Sequence, residues 1–205
     1  MSKIISALLL ILCVASKVQA GAQEVVAMVG KEPVTAEQAY ALNYAYQFGG
    51  RFDMGYTLAA IAWIESRAGL FPVSKDGDYA CGYFHVKAGN ILKRENLPNT
   101  RRTRKIMCEY IKEDRAYAAQ AAIDELQYWN DYHNGNWNKM VRSYNGGFKG
   151  STKYLNTVKT VIRQLKKSGV IDNKQPVFQV AVVGDRLVVK DTEPQNKLYR
   201  YNLRH

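Results

Sequence analysis

Glu65 is the residue whose sequence neighbours best suit proton delivery. It closes the run Ala59-Ala60-Ile61-Ala62-Trp63-Ile64-Glu65, and stripping water from a carboxylate disfavours its charged form. A carboxyl that holds a proton near neutral pH is a general acid. Glycosidic bonds need one, because their oxygen leaves poorly unless protonated. The competing reading is a solvent-facing glutamate at a helix end. His85 is either a substrate contact or part of a cleft wall, and its ring titrates near physiological pH. Asp76 and Asp78 offer a second carboxylate. Facing Glu65 across a water, either would suit inverting hydrolysis; otherwise they cap a surface turn.

The elements that must position these residues are mostly helical. Residues 21–34 read as an extended or loosely ordered lead-in. Thr35 with Gln38 forms a capping-box pattern, and a helix over 36–48 ends at Gly49-Gly50. Asp53 suits the N-cap of the next helix, which carries Leu58, Ile61, Ala62 and Glu65 on related turns and stops near Ala68-Gly69. Residues 73–89 form a loop rich in Ser, Asp, Gly and Tyr, with room for a short hairpin. The basic stretch 90–108, with Arg101-Arg102 and Arg104-Lys105, reads as a solvated face. A long helix then places Ile111, Ala118, Ala122, Leu126 and Trp129 on one stripe, which assigns Trp129 to packing. Tyr83 and Tyr144 sit in loop motifs instead, so they are the aromatic candidates for a cleft. Asn134-Gly135-Asn136 breaks that helix, and a short one follows over 137–144. Tyr154, Val158, Val161, Ile162 and Leu165 mark a last amphipathic helix, ended by Ser168-Gly169. Strand-like alternation then takes over: 177–183 and 186–189 flank Gly184-Asp185 as a hairpin, and 198–203 supplies a third strand. So small a sheet must lean on the helical body or on a partner. The expected division is a signal peptide over 1–20, the lead-in over 21–34, a mainly α body over 35–170 and a β appendage over 171–205.

With 205 residues, 47% hydrophobic and 23% charged, the chain has the composition of an ordinary globular domain. Lys3, the apolar run 4–15 and the small-residue site Val18-Gln19-Ala20 have the form of an export signal. The run is shorter than the roughly 20 residues that span a bilayer, so no membrane span is expected after cleavage; an uncleaved anchor is the alternative. The formal net charge is +11, of which Lys3 and Lys17 leave with the signal. In a periplasmic or extracellular protein such a surplus favours an anionic wall or membrane surface. Nucleic acid would require an uncleaved cytoplasmic chain and a recognition motif that is not there. Cys13 also departs with the signal. Cys81 and Cys108 are then expected to form a disulfide in an oxidising compartment, or else to lie as two buried thiols. No CxxC or Cys/His ligand spacing points to zinc.

Four motifs in order carry a resemblance: Glu65-Ser66, then Ser74 nine residues after the glutamate, then Gly82-Tyr83-Phe84-His85-Val86, then Tyr144-Asn145-Gly146-Gly147. This set resembles the catalytic domain of soluble lytic transglycosylases, in the lysozyme-like superfamily, and is similar to goose-type lysozyme over about residues 40 to 167. The resemblance implies a lysozyme-like α+β fold and a substrate of peptidoglycan glycan strands. It implies that Glu65 protonates the oxygen between N-acetylmuramic acid and N-acetylglucosamine, then takes the proton of the muramic C6 hydroxyl as a 1,6-anhydro ring closes. Such enzymes use the substrate's own N-acetyl group in place of a second carboxylate, and no metal or organic cofactor. Ser74 would orient the acetamido group, Tyr144 would hydrogen-bond near the reacting centre, and Asn145 would shape the loop. Tyr154 and Val158 match family positions on the last helix. His85 departs from the family's usual Gln, the loop between Ser74 and Gly82 is longer than usual, and Gly146-Gly147 stands for Ala-Gly. Beside this enzyme stands a non-catalytic wall-binding module. In either case the C-terminal β segment offers a docking element for an envelope-spanning assembly.

Overall fold

The computed structural model describes residues 24–74, 79–172, 174, 176–183, 186–191 and 198–202. The signal-peptide reading, Asp76 and Asp78 all lie outside the described residues. The chain is mainly helical. Two short strands, β1 (Val25–Val29) and β2 (Glu32–Thr35), lead into α1 (Ala36–Gly50) and α2 (Gly55–Ser66). A two-residue pair, β3 (Ala80–Cys81) and β4 (Val86–Lys87), precedes α3 (Ala88–Arg94), α4 (Arg101–Glu113), α5 (Arg115–Tyr132), α6 (Trp137–Gly146) and α7 (Thr152–Ser168). A three-stranded antiparallel sheet closes the order, β5 (Phe178–Val183), β6 (Arg186–Asp191) and β7 (Leu198–Asn202), with β6 in the middle.

The core gathers around α2, whose Leu58, Ala59, Ala60, Ile61, Ala62 and Trp63 are all buried. A helix apolar on every side belongs at the centre of a bundle. It packs against α1 and α7, where Tyr44, Phe48, Val158 and Leu165 are also buried. The capping box at Thr35 forms as its sequence predicts, with Gln38 Oε1 accepting from the Thr35 N–H at 3.0 Å. The same Gln38 reaches 29 residues along the chain and donates through Nε2 to the Arg67 carbonyl at 2.9 Å. One amide side chain thus starts α1 and holds the end of α2.

The Asp53 cap and the single long helix are corrected, while the extended lead-in and the exposed basic stretch take definite form. The lead-in is an ordered hairpin: β1 pairs with β2 from Val29↔Glu32 outward, and Val29 and Val34 are buried. Gly30 makes that turn at a φ of 67°. Asp53 does not cap α2; it sits at a φ of 58°, and the N-cap is Met54 with no side-chain bond. The basic stretch is largely helical, since a second capping box between Thr100 and Thr103 starts α4. The single long helix is two helices, because Asp114 ends α4 and accepts from the Tyr117 N–H at 2.7 Å to start α5.

Cys81 and Cys108 are joined in a disulfide with Cα atoms 5.5 Å apart, tying β3 to α4. The C-terminal sheet is anchored at its first residues. Phe178 packs on Tyr44 and Phe48, at 4.9 and 5.8 Å between ring centroids. Val177 donates its N–H to Gln47 and accepts from the Tyr40 hydroxyl through its carbonyl. Among the described residues no helix is long and apolar enough to cross a membrane.

Candidate active site

Glu65 lies in the last turn of α2. Ile61 and Ala62, one turn earlier on the same face of α2, are buried in the core together with Trp63. Glu65 instead emerges into a cleft of about 420 Å³ that it shares with Ser74, His85, Tyr144 and Asn145. Only 14% of its side chain is exposed. The Tyr154 hydroxyl donates to Oε1 at 2.6 Å, and His85 Nδ1 stands 3.5 Å from Oε2. Each carboxylate oxygen therefore faces a different partner.

The backbone around this carboxyl is tightly constrained. Arg67 ends α2 in the left-handed region, and Ala68 N–H bonds back to the Ala62 carbonyl at 2.9 Å. Arg67, Ala68 and His85 all have positive φ, of 53°, 54° and 45°. Non-glycine residues adopt such angles only where their surroundings dictate it, and functional sites are where they cluster. Buried Ser66 accepts from the Gly69 N–H at 2.8 Å and donates to the Tyr83 carbonyl at 2.7 Å. This joins the end of α2 to the turn carrying His85. A side chain at Gly69 would collide with the Tyr83 ring, so that close approach requires glycine.

His85 is held by the same loop. Its Nε2 lies 2.8 Å from the Phe71 carbonyl, and a carbonyl only accepts, so Nε2 carries hydrogen. In the neutral ring Nδ1 is then an acceptor facing Glu65. A hydrogen bond between them exists when one proton sits between the pair, on the carboxyl or on the imidazole.

Tyr144, from α6, donates to the Phe84 carbonyl at 2.8 Å. It supports the turn presenting His85 and lines the cleft with the rest of its ring. Burial first, then the charges of Glu65 and Glu125, push its phenol well above the usual range. Burial, then the charge and hydrogen bond of Glu65, do the same to Tyr154. Both phenols hence stay protonated donors.

Most of the expected residues converge. Glu65, Ser74, His85, Tyr144 and Asn145 line one cleft, and Tyr154 meets Glu65 from α7. Tyr154 is thereby a partner of the carboxyl more than a sugar contact. Tyr83 does not line the cleft: its hydroxyl accepts from Arg115 at 3.0 Å, and that guanidinium also lies over its ring. Trp129 is buried as expected yet reaches the cleft wall.

Sequence reasoning missed part of the cleft lining. Lys87, Asn90, Glu125 and Phe148 all line the cleft. Glu125 accepts from Trp129 Nε1–H at 2.9 Å and from Asn90 Nδ2–H at 3.4 Å. On α5 it resembles any acid on the polar side of an amphipathic helix, and only its spacing of four from Trp129 hinted at a pair. Among the described residues no group of His, Cys, Asp and Glu is arranged to hold a metal ion.

No family model matches the chain, and no solved structure matches it. A protein of Enterobacteria phage T4, described as an uncharacterized 20.7 kDa protein in the vs-regB intergenic region, is 29% identical over 148 residues. That similarity spans 64% of this chain and 81% of the phage protein.

Proposed function

We propose that this protein is a peptidoglycan-cleaving lytic transglycosylase with a lysozyme-like fold, exported to the periplasm or cell exterior. The observation that carries the reading is the setting of Glu65: a nearly buried carboxyl, hydrogen-bonded by Tyr154, facing His85 and opening on a cleft that also holds Ser74 and Tyr144. Protonated, it donates to the glycosidic oxygen as the bond from muramic C1 to that oxygen breaks. The Tyr154 hydroxyl then stabilises the carboxylate left behind. That carboxylate takes the C6 hydroxyl proton while O6 bonds to C1, so one proton leaves and one returns and no water is consumed. His85, itself held by the Phe71 carbonyl, stands beside Oε2 of that carboxyl. The disulfide is compatible with an oxidising compartment.

One observation favours a second reading. Glu125 lines the same cleft, and an inverting hydrolase pairs its acid with a second carboxylate that activates a water. The substitutions Glu65→Gln and Glu125→Gln separate these readings on a gel embedded with peptidoglycan. A transglycosylase loses its clearing zone with Glu65→Gln and keeps a weakened one with Glu125→Gln. A hydrolase using both loses the zone in each variant, and a wall-binding module makes no zone at all.

A further inference from the structure

Phe148 and Trp129 in the cleft lining belong to a wider aromatic ledge. Phe148 on the 3-10 turn Gly147–Lys149 is 72% exposed, and Tyr128 and Tyr132 on α5 are 55% and 54% exposed. Their rings meet buried Trp129 edge-on: Phe148 at 5.1 Å, Tyr128 at 4.9 Å and Tyr132 at 5.8 Å between centroids, with interplanar angles of 75° to 86°. Phe148 and Tyr132 also touch, at 5.2 Å. Three large rings on one patch of surface contribute little to the core, and such patches mark binding sites.

The ledge is rigid. Arg142 donates twice to the Gly150 carbonyl, at 3.1 and 3.0 Å, and this fixes the turn that carries Phe148. A side chain at Gly150 would strike the Arg142 carbonyl, so the turn closes only on glycine. His133 Nε2 lies 2.8 Å from Ser143 Oγ and ties the end of α5 to α6. Ordering cost is therefore met before a ligand arrives.

Polar groups flank the rings. Phe148 and Trp129 line the cleft together with Glu125 and Asn90. Glu125 is oriented by the Trp129 and Asn90 bonds, and its remaining lone pairs can accept from hydroxyls. Ring faces beside an oriented carboxylate and amide suit a ligand with an apolar face and a hydroxylated rim, which is a pyranose.

We propose that Phe148, Tyr132 and the Trp129 edge, with Glu125 and Asn90, form a remote sugar subsite that grips a pyranose of the glycan strand away from the bond facing Glu65. The identity of the ligand rests on the glycan-cleaving reading; the shape and rigidity of the ledge do not. The full chain carrying Glu65→Gln is titrated with N-acetylglucosamine dimers through hexamers, by calorimetry and by tryptophan fluorescence. Adding Phe148→Ala or Tyr132→Ala should weaken hexamer binding about tenfold each. Phe148→Trp should restore it, and Ile106→Ala on the exposed face of α4 should change nothing. Unchanged hexamer affinity in Phe148→Ala and Tyr132→Ala overturns the subsite, as does an absence of hexamer binding to Glu65→Gln. The two readings fail separately. Wild-type cleavage of sacculi with affinity indifferent to Phe148 sinks the subsite alone. Phe148-dependent binding by a wild-type protein that cleaves nothing sinks the catalytic assignment alone.

Discussion

Two parts of the cleft lining differ: at one, Glu65 exposes 14% of its side chain, bonded by a buried tyrosine and near residues at positive φ. At the other, Phe148 exposes 72% of itself on a turn that a twofold arginine bond holds still. The first end holds a carboxyl in fixed geometry, and its parts come from α2, α7 and the β3–β4 turn. The second presents surface, and its parts come from α5 and the turn after α6. Residues at positive φ flank the carboxyl, and exposed apolar area lies on the ledge. The comparison predicts that substitutions at the two ends affect different observables.

The largest effect is expected from Glu65→Gln, which keeps the shape and the Tyr154 contact but cannot deliver a proton. Cleavage of labelled sacculi should fall by a factor of about 10² to 10⁴, while hexamer affinity stays within about twofold. Tyr154→Phe removes the donor at 2.6 Å, and kcat should drop by roughly 10- to 100-fold with little change in KM. A KM effect alone would move Tyr154 to the gripping end. Next comes the disulfide. Opening a link between residues 27 apart should cost about 3–4 kcal/mol of stability, read from urea midpoints of Cys81→Ser with Cys108→Ser. Cys81 precedes the turn bearing His85, so cleavage should suffer more than hexamer binding.

The smallest effect is alkaline. Tyr144 and Tyr154 are held well above the usual phenol value of 10.0, and Tyr117 is pushed up to about 12, in each case chiefly by burial. Above pH 10 the unfolded chain releases these protons and the folded chain keeps them. Stability is therefore intact below about pH 10 and falls as pH climbs through the folded values, by at most about 1.4 kcal/mol per pH unit for each phenol. Tyr154→Phe should make the decline in urea midpoint shallower. An equally steep decline in that variant would remove Tyr154 from the account.

The reactive end was more legible in the sequence than the gripping end. Capping boxes and helical periods are local signals, and Thr35 with Gln38, the stripe on α7 and the break at Asn134-Gly135-Asn136 all lie where those signals put them. Glu65, Ser74, His85 and Tyr144 stood out because they form an ordered set of short motifs. Glu125 and Phe148 carry no such mark. One sits on the polar side of a helix and the other after a glycine pair, and only the packing of α5 and α6 brings them to the same cleft. Tyr83 misled for the converse reason: it sits in one of those motifs, but its hydroxyl and ring meet Arg115 and it does not line the cleft. The break at Asp114 was also hidden, since the apolar stripe runs on from α4 into α5 while the cap interrupts the backbone alone.

The most direct measurement is mass spectrometry of the sugar ends released from purified sacculi by the wild-type protein. Glu65 acting alone as acid and then base predicts 1,6-anhydromuramic ends, with none in a Glu65→Gln digest. Free reducing muramic ends, or anhydro ends that persist without the Glu65 carboxyl, would contradict it.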